Sequence, residues 1–327
     1  MSYVNAVANG RAEASGIRRM LSATLAAVLL ANQVMGGNSA GQVPAENRPK
    51  ANNMNSRNGG TKTEKTHGYA PVNGLKMYYE IEGTGEPLVY IPPVFGFAGL
   101  KSFPALAENH KVITMDLQGR GRTADLPERP LSIEQGAEDV VGLLRYLGIS
   151  KADFFGESYG GNTAALIAVR HPELVRRVAT YGATFGPAQM AINPKTGPSK
   201  HPAADSRYVE FERESYEKVA PRPDDWPKIF DKVENIQWRG FSKDELTSIK
   251  VPILIILGDH DFVRLEHAVE TFNVIANAEL AVVPDASHFA LFSEQERVIP
   301  IVKHFVEKPE KRLPWGGGTG YHPGETR

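Results

Sequence analysis

The chain has 327 residues, of which 41% are hydrophobic and 23% are charged, and these proportions are those of a globular protein with a substantial core. Lys and Arg total 37 against 38 for Asp and Glu, so the formal net charge of −1 excludes a global basic field for nucleic acid or anionic membranes. With no cysteine, the sequence also excludes disulfides, thiol nucleophiles and cysteine-ligated metal sites.

Residues 1–45 have the pattern of an export leader. Arg18 and Arg19 precede the apolar run MLSATLAAVLLANQVM, which is too short to span a bilayer comfortably. Small residues follow at 39–41 and 43–45, where a signal peptidase would cleave. We therefore expect a secreted or periplasmic protein without a stable membrane span; the alternative is a cytoplasmic protein with a stray N-terminus.

Two further segments have little to bury. Residues 46–67 are rich in Asn, Gly, Ser, Lys and Thr, and residues 311–327 include PWGGGTGYHPGETR. Such compositions do not offset the entropy lost on ordering. We expect a flexible linker and a disordered tail around a domain at 68–310.

Within 68–310, strand patterns alternate with helical ones. The expected strands are LKMYYEI, PLVYIPP, HKVITMD, ADFFG, VRRVATYG, VPILIILG and ELAVVPD. The expected helices lie near 102–108, at 133–147 with Ser132 as N-cap, in GNTAALIAVRH, and near 266–275 and 294–306. This alternation predicts an α/β fold, a mostly parallel sheet with helices on both faces. The stretch from about 186 to 250 breaks the rhythm and is expected to form a small cap insertion.

The stretch GESYGG, residues 156–161, places Ser158 where the strand ADFFG ends and a helix begins. A nucleophile on such a turn is held in a strained conformation and needs small neighbours, which Gly156, Gly160 and Gly161 supply. The helix start behind Ser158 directs backbone N–H groups toward a developing oxyanion. The pattern therefore favours a nucleophile over a serine that merely forms a turn.

A serine hydroxyl needs a base to take its proton, and position selects that base among nine histidines. His288, in PDASHFALF, lies on the loop after the last core strand, at the edge of the sheet where the nucleophile emerges. Five of the other eight histidines lie in the predicted ends or inside regular elements: His67, His110, His171, His304 and His322.

The acid that would orient this histidine is expected after the strand VPILIILG, in GDHD. Asp261 reaches further into the loop than Asp259, which is expected to turn or cap the chain. Side chains at adjacent positions such as 259–261 point in different directions, so a metal site is disfavoured here.

Residues 68 to about 308 resemble the α/β-hydrolase superfamily, through LVYIPPVFG, MDLQGRGRT, GESYGG, ILGDHD and DASHFALF in that order. The resemblance is greatest to the esterase and cofactor-free haloperoxidase-like branch. It implies that Ser158 is the nucleophile, Asp261 the orienting acid and His288 the base. The serine also argues against the haloalkane dehalogenases and epoxide hydrolases of this superfamily, which use aspartate at that position.

One loop departs from the family pattern. Most relatives carry His-Gly after the third strand, whereas this chain has Pro92-Pro93, and proline has no N–H to donate. The resemblance then places the two oxyanion-hole amides at Val94 and Tyr159. A misdirected Val94 amide would cost about 3 kcal/mol of transition-state stabilisation.

Several aromatic residues are candidates for the walls of an apolar acyl or aryl pocket, although some are expected to be ordinary core. They are Phe95, Phe97, Phe185, Trp226 and Phe289. Asp116 and Arg120 in MDLQGRGRT are expected to brace the loop near the site.

The sequence as a whole predicts a serine hydrolase that cleaves a small-molecule carboxylic ester through an acyl-enzyme, with no cofactor or metal. Perhydrolysis, as in haloperoxidase-like enzymes, or lactone opening needs only a different pocket on the same three residues, and C–C bond hydrolysis is a further alternative. A non-catalytic ligand-binding protein of the same fold is the alternative from another class, supported only by the Pro92-Pro93 loop. The sequence indicates neither the natural substrate nor the oligomeric state.

Overall fold

The computed structural model describes residues 65–193 and 207–309. The predicted leader, most of the linker and the tail lie outside these residues. The strands are β1 (Lys65–Val72), β2 (Leu75–Glu82), β3 (Glu86–Ile91), β4 (His110–Met115), β5 (Ala152–Glu157), β6 (Val175–Tyr181), β7 (Ile253–Gly258) and β8 (Ala278–Val283). The helices are α1 (Pro104–Ala107), α2 (Ile133–Tyr146), α3 (Tyr159–Arg170), α4 (Ala188–Ala191), α5 (Arg207–Glu217), α6 (Trp226–Glu234), α7 (Lys243–Ser248), α8 (Leu265–Val274), α9 (Ala290–Ser293) and α10 (Gln295–Val306).

The strands form one sheet in the order β1-β2-β4-β3-β5-β6-β7-β8. β1 and β2 pair antiparallel with each other, and β2 pairs antiparallel with β4. All pairings from β4 to β8 are parallel. In a parallel sheet the chain leaves each strand at the same edge, so the loops after β3, β5, β6, β7 and β8 gather there.

The first hairpin begins earlier than the sequence indicated. The linker was expected to reach residue 67, but β1 begins at Lys65, which pairs with Glu82 of β2. A signal for this hairpin is present in the sequence: Asn73 and Gly74 have φ values of 47° and 83°, as a two-residue turn of the Asn-Gly type requires. Cross-strand pairing, and not burial, orders the first residues of β1, because five of its eight residues are exposed.

Helices cover both faces of the sheet, as predicted. Successive residues of β3 point to opposite sides: Val89 joins the core beneath α2 and α3, and Leu88 joins the core beneath α1 and α10. The predicted cap at Ser132 is also present, since its side chain accepts a hydrogen bond from the N–H of Gln135 at 3.1 Å. The described residues therefore form the α/β fold that the sequence predicted, a mostly parallel sheet with helices on both faces.

The described part of the stretch between β6 and β7 contains α4, α5, α6 and α7. Buried residues of α5 and α6 pack with Phe95 and Leu131 of the domain below, and we call this group the cap cluster. Its members are Phe95, Leu131, Val209, Tyr216, Trp226, Ile229 and Val233. Within residues 65–193 and 207–309, no helix is both long and apolar enough to cross a bilayer.

Candidate active site

Ser158 lies between β5 and α3 in a strained backbone conformation. Its φ is 54° and its ψ is −114°, a region that costs a residue with a side chain about 1–3 kcal/mol. Two hydrogen bonds hold the turn: the Ser158 N–H donates to the Tyr181 carbonyl at 2.8 Å, and the Asn162 N–H donates to the Ser158 carbonyl at 3.1 Å. The strain aims the side chain out of the sheet edge, as the sequence predicted for this turn.

The glycines around Ser158 allow backbones to touch. A Cβ on Gly156 would lie 2.2 Å from the Gly160 carbonyl oxygen. A Cβ on Gly160 would lie 2.0 Å from the carbonyl oxygen of Ile91, at the end of β3. Both distances are below any real contact, so only glycine fits at these positions. The loop after β3 is thereby packed directly on the start of α3.

The structure brings the three predicted residues together into what we call the serine cluster. The His288 Nε2 lies 3.1 Å from the Ser158 Oγ, and the His288 Nδ1 lies 2.9 Å from the Asp261 Oδ1. His288 and Asp261 are each 7% exposed. A hydroxyl, an imidazole and a carboxylate joined in this order are the groups that nucleophilic catalysis by serine requires.

The loops that carry the acid and the base are tied to each other. The His260 N–H donates to the Ala286 carbonyl at 3.0 Å, and a Cβ on Gly258 would lie 1.8 Å from that same oxygen. The Tyr181 hydroxyl donates to the Ser287 carbonyl at 2.5 Å, beside the base. These contacts fix the separation between the loops after β7 and β8, which in turn fixes the distance between Asp261 and His288.

Two neighbours of His288 were not identified from the sequence. Gly182, directly after β6, has φ +62°, and a Cβ there would lie 2.7 Å from the His288 Cε1 and 3.3 Å from the Asp261 Oδ2. The Phe262 ring lies 3.9 Å from the imidazole, centroid to centroid. The only signal for Gly182 was a glycine at the carboxyl end of a strand, and Phe262 carried no signal beyond its position next to Asp261.

Asp259 lies where the sequence placed it, in the turn after β7. Its Oδ1 accepts a hydrogen bond from the Ala286 N–H at 3.2 Å, and backbone hydrogen bonds from Asp285 and Ala286 lower the pKa of its carboxyl. No group of three or more His, Asp or Glu side chains in the described residues could hold a metal ion.

The Pro92-Pro93 loop closes into a turn. The Gly96 N–H donates to the Pro93 carbonyl at 2.9 Å, which fixes the plane of the peptide between Pro93 and Val94. Because N–H and C=O point in opposite directions across a trans peptide, the Val94 N–H points away from the inside of the turn. Tyr159 is the first residue of α3, where a backbone N–H has no acceptor within its helix.

Arg120 connects these two predicted donors. Its guanidinium is buried; Nε donates to the Val94 carbonyl and Nη1 to the Gln118 carbonyl, each at 2.7 Å. Its Cζ lies 5.3 Å from the centre of the Tyr159 ring. Burial lowers the pKa of Arg120 and raises that of Tyr159 to about 12, while the Tyr159 hydroxyl donates to the Ser132 carbonyl at 2.6 Å. The expected bracing role of Arg120 is thus visible in its contacts.

The predicted pocket aromatics lie in different surroundings. Phe289 is 43% exposed, and its ring lies 5.7 Å from the imidazole of His288. Phe185 packs in the main core, and its ring lies 6.0 Å from that of Phe241. Phe97 is buried, with the Arg122 guanidinium 5.9 Å from its ring centre. The contacts of Phe97 and Phe185 are those of packing residues, and a pocket role for them stays a prediction.

Phe95 and Trp226 belong to the cap cluster, with ring centres 5.3 Å apart. Trp226 also lines a cleft of about 700 Å³ between α5 and α6, on the cap. None of the residues that line this cleft belongs to the serine cluster. Of the five predicted aromatics, Phe289 is therefore the one placed beside the base.

Comparison with known proteins finds similarity to hydrolases. A family model described as the alpha/beta hydrolase fold matches residues 96–200, which contain Ser158. A soluble epoxide hydrolase of Corynebacterium sp. (strain C12) is 36% identical over 118 residues, 36% of this chain and 41% of that protein. The bifunctional epoxide hydrolase 2 of Sus scrofa is 31% identical over 134 residues, 39% of this chain and 24% of that protein. The match thus spans less than half of the length of these two relatives.

Longer alignments have lower identity. The 2-hydroxymuconate semialdehyde hydrolase of Pseudomonas putida is 24% identical over 271 residues, 72% of this chain and 92% of that protein. The solved enol-lactonase of Burkholderia xenovorans LB400 superposes with a TM-score of 0.57 at 25% identity, covering 73% of this chain and 100% of that chain. A meta-cleavage product hydrolase of Pseudomonas fluorescens IP01, at 23% identity, superposes with a TM-score of 0.58 over 73% of this chain and 96% of that chain.

Proposed function

The chain belongs to the α/β-hydrolase superfamily, and from that premise we propose that it is a serine hydrolase that cleaves a carboxylic ester through an acyl-enzyme intermediate. The observation that carries this proposal is the continuous contact from the Ser158 Oγ through His288 to Asp261, at 3.1 and 2.9 Å. A ligand-binding protein would need no such contact.

In the proposed reaction the Ser158 Oγ attacks the ester carbonyl while the His288 Nε2 takes the hydroxyl proton. Asp261 holds the imidazole in the tautomer that leaves Nε2 free to accept, and it stabilises the imidazolium that forms. His288 then gives the proton to the leaving alcohol. Water, activated by the same imidazole, attacks the acyl-enzyme and releases the acid and free Ser158.

The Val94 and Tyr159 N–H groups are proposed to bind the oxyanion. Neither donor is a side chain, so the proposal depends on the loop geometry that Gly96, Gly160 and Arg120 maintain. Loss of one such donor costs about 3 kcal/mol of transition-state stabilisation. The turn closed by Gly96 supports a working hole despite the two prolines.

Serine chemistry argues against the epoxide hydrolysis named for two relatives. A serine oxygen that opened an epoxide would leave an alkyl ether, which water does not readily cleave. A serine that attacks an ester leaves an acyl-enzyme, which water hydrolyses with the help of His288. The residue at position 158 therefore favours acyl transfer.

A second candidate substrate follows from the longer alignments. The enol-lactonase and the semialdehyde hydrolase align over nearly their full lengths. Opening of a lactone is the same acyl transfer with a tethered alcohol, and C–C hydrolysis would need in addition a stabilised carbanion as leaving group. With peroxide in place of water, the same acyl-enzyme would release a peracid. We therefore propose lactone opening as the second candidate reaction, after ester hydrolysis.

The test is hydrolysis of p-nitrophenyl esters of graded acyl length, with an enol-lactone and a meta-cleavage product assayed in parallel. Three proteins are compared: wild type, Ser158→Ala, and the control Ser248→Ala, which changes an exposed serine on α7. We expect turnover in wild type and the control, and a loss on the order of a million-fold in Ser158→Ala. Equal activity in wild type and Ser158→Ala would contradict the proposal.

A further inference from the structure

Four polar residues, two on the domain and two on the cap, take no part in the reaction described above. They are Lys101, Glu157, Tyr208 and Glu212, and we call them the polar subsite. Glu157 is the last residue of β5, directly before Ser158, and Lys101 lies between β3 and α1. Tyr208 and Glu212 are one helical turn apart on the cap helix α5. The group therefore includes residues of both the domain and the cap, and Lys101 and Glu157 act electrostatically on Glu212.

The two domain residues of the polar subsite, Lys101 and Glu157, have all their expected hydrogen-bond partners. The Lys101 Nζ donates to the Glu157 Oε1 at 2.6 Å and to its Oε2 at 2.5 Å, and the Tyr90 hydroxyl donates to the Oε2 at 2.7 Å. The Lys101 and Glu157 side chains are only 9% and 5% exposed. Both carboxylate oxygens of Glu157 have donors, so this ion pair requires no further partner.

Of the two cap residues, Tyr208 and Glu212, the second lacks a hydrogen-bond partner on one oxygen within the described part of the chain. The Tyr208 hydroxyl donates to the Glu212 carboxylate, and Glu212 is 5% exposed. Its Oε2 is buried and has no hydrogen-bond partner among the described residues. Burial raises the pKa of Glu212 to about 7, with Glu157 acting in the same direction and Lys101 against it. A buried acceptor without a donor costs free energy that a ligand could recover.

The position of α5 connects this acceptor with the serine cluster. The Tyr208 ring lies 5.2 Å from the Phe289 ring, which in turn lies 5.7 Å from the His288 imidazole. Tyr208 also packs against the cap cluster, as Val94 does. The helix therefore contacts both the loop of the base and the loop of the first oxyanion donor, the two loops between which an ester carbonyl would lie.

We propose that the polar subsite binds a hydrogen-bond donor of the substrate, a hydroxyl or ammonium group, through the free Oε2 of Glu212. This inference rests on the proposed ester hydrolysis at Ser158 and names the substrate class of that site. Lys101 and Glu157 neutralise each other, so an ionised Glu212 leaves one net negative charge, which disfavours substrate carboxylates. An apolar chain would leave the oxygen without a donor.

The test compares matched substrates that end in methyl, hydroxyl or ammonium. The three end groups are placed first on the acyl chain of p-nitrophenyl esters of the preferred length, and then on the alcohol of acetate esters. In wild type we expect kcat/KM to be at least about tenfold higher for the hydroxyl or ammonium substrate than for the methyl one. We expect this preference either for end groups on the acyl chain or for end groups on the alcohol. Ser158→Ala supplies the uncatalysed blank.

Three variants identify the residue responsible. Glu212→Leu removes the acceptor and should abolish both preferences. Glu212→Gln keeps an oxygen without the charge, so it should keep the hydroxyl preference and lose the ammonium preference. If the Glu212→Leu variant does not fold, Glu212→Gln alone tests whether Glu212 is responsible. The control is Glu214→Leu, which changes a glutamate 55% exposed on the same helix and should leave both preferences unchanged.

The outcomes separate this inference from the proposed function. Hydrolysis of the methyl esters that depends on Ser158, with no end-group preference in wild type, would overturn the polar subsite and leave ester hydrolysis standing. An end-group preference that survives in both Glu212→Leu and Glu212→Gln would also overturn the polar subsite. A wild-type protein that cleaves none of the esters would overturn the proposed function and this inference together.

Discussion

Replacement of Gly182 by alanine tests whether the position of His288 controls catalysis. Gly182 has φ +62°, and a Cβ there would lie 2.7 Å from the His288 Cε1, where ordinary contact begins at 3.4 Å. The imidazole would have to move by about 0.7 Å, and misplacements near 1 Å can cost about a hundredfold in rate. The left-handed backbone adds about 1–2 kcal/mol of strain. We therefore expect kcat for ester hydrolysis to fall about 10- to 100-fold.

Gly148 provides the matched control, because its φ is +68° and a Cβ there would meet no atom within 4 Å. Gly148→Ala should show the strain without the displacement: a melting temperature lower by about 2–8 °C and unchanged kcat. Thermal melts and steady-state kinetics on both variants separate the two effects. Wild-type kcat in Gly182→Ala, or an equal loss of kcat in Gly148→Ala, would refute the reasoning.

Three further predictions concern single substitutions. Asp261→Asn should lower kcat about 10⁴-fold while the protein stays folded, because the imidazole loses its orienting acid; a loss below tenfold would contradict this. Ser132→Ala should lower the free energy of unfolding by about 1 kcal/mol through loss of the α2 cap, with kcat unchanged. Glu212→Gln should stabilise the fold above pH 7. The pKa of the Glu212 carboxyl is about 7 in the folded protein, against an ordinary value of 4.5. The free energy of unfolding of the wild type therefore falls as the pH rises from 4.5 to about 7, by about 3 kcal/mol in total. Urea unfolding at pH 4 and pH 8 checks this, and an equal difference at both values would contradict it.

The alternation of strands and helices and the three residues of the serine cluster were predictable because their signals are local. Ser158 lies inside a short motif, and Asp261 and His288 each follow a strand whose apolar pattern is clear. Because parallel strands end at one edge of the sheet, the order of the strands alone brings these loops together. The hairpin of β1 was missed although Asn73-Gly74 signals it.

The polar subsite could not be predicted, because its contacts join distant segments. Lys101 and Glu157 are 56 residues apart, and no local pattern pairs them. Glu212 lies on an amphipathic cap helix where an acidic residue usually faces solvent, as Glu214 does. Its burial depends on how α5 packs against the loop of Phe289, and that packing is a tertiary property. The same limit explains why Gly182 appeared as an ordinary glycine.

The central claim is that Ser158 is a nucleophile activated by His288. The most direct measurement is the intact mass of the protein after reaction with a fluorophosphonate, on wild type, Ser158→Ala and His288→Ala. We predict one covalent adduct on wild type, located at Ser158 by peptide mapping. We further predict no adduct on Ser158→Ala and strongly slowed labelling of His288→Ala. A wild-type protein that stays unlabelled, or an adduct on a residue other than Ser158, would contradict the account.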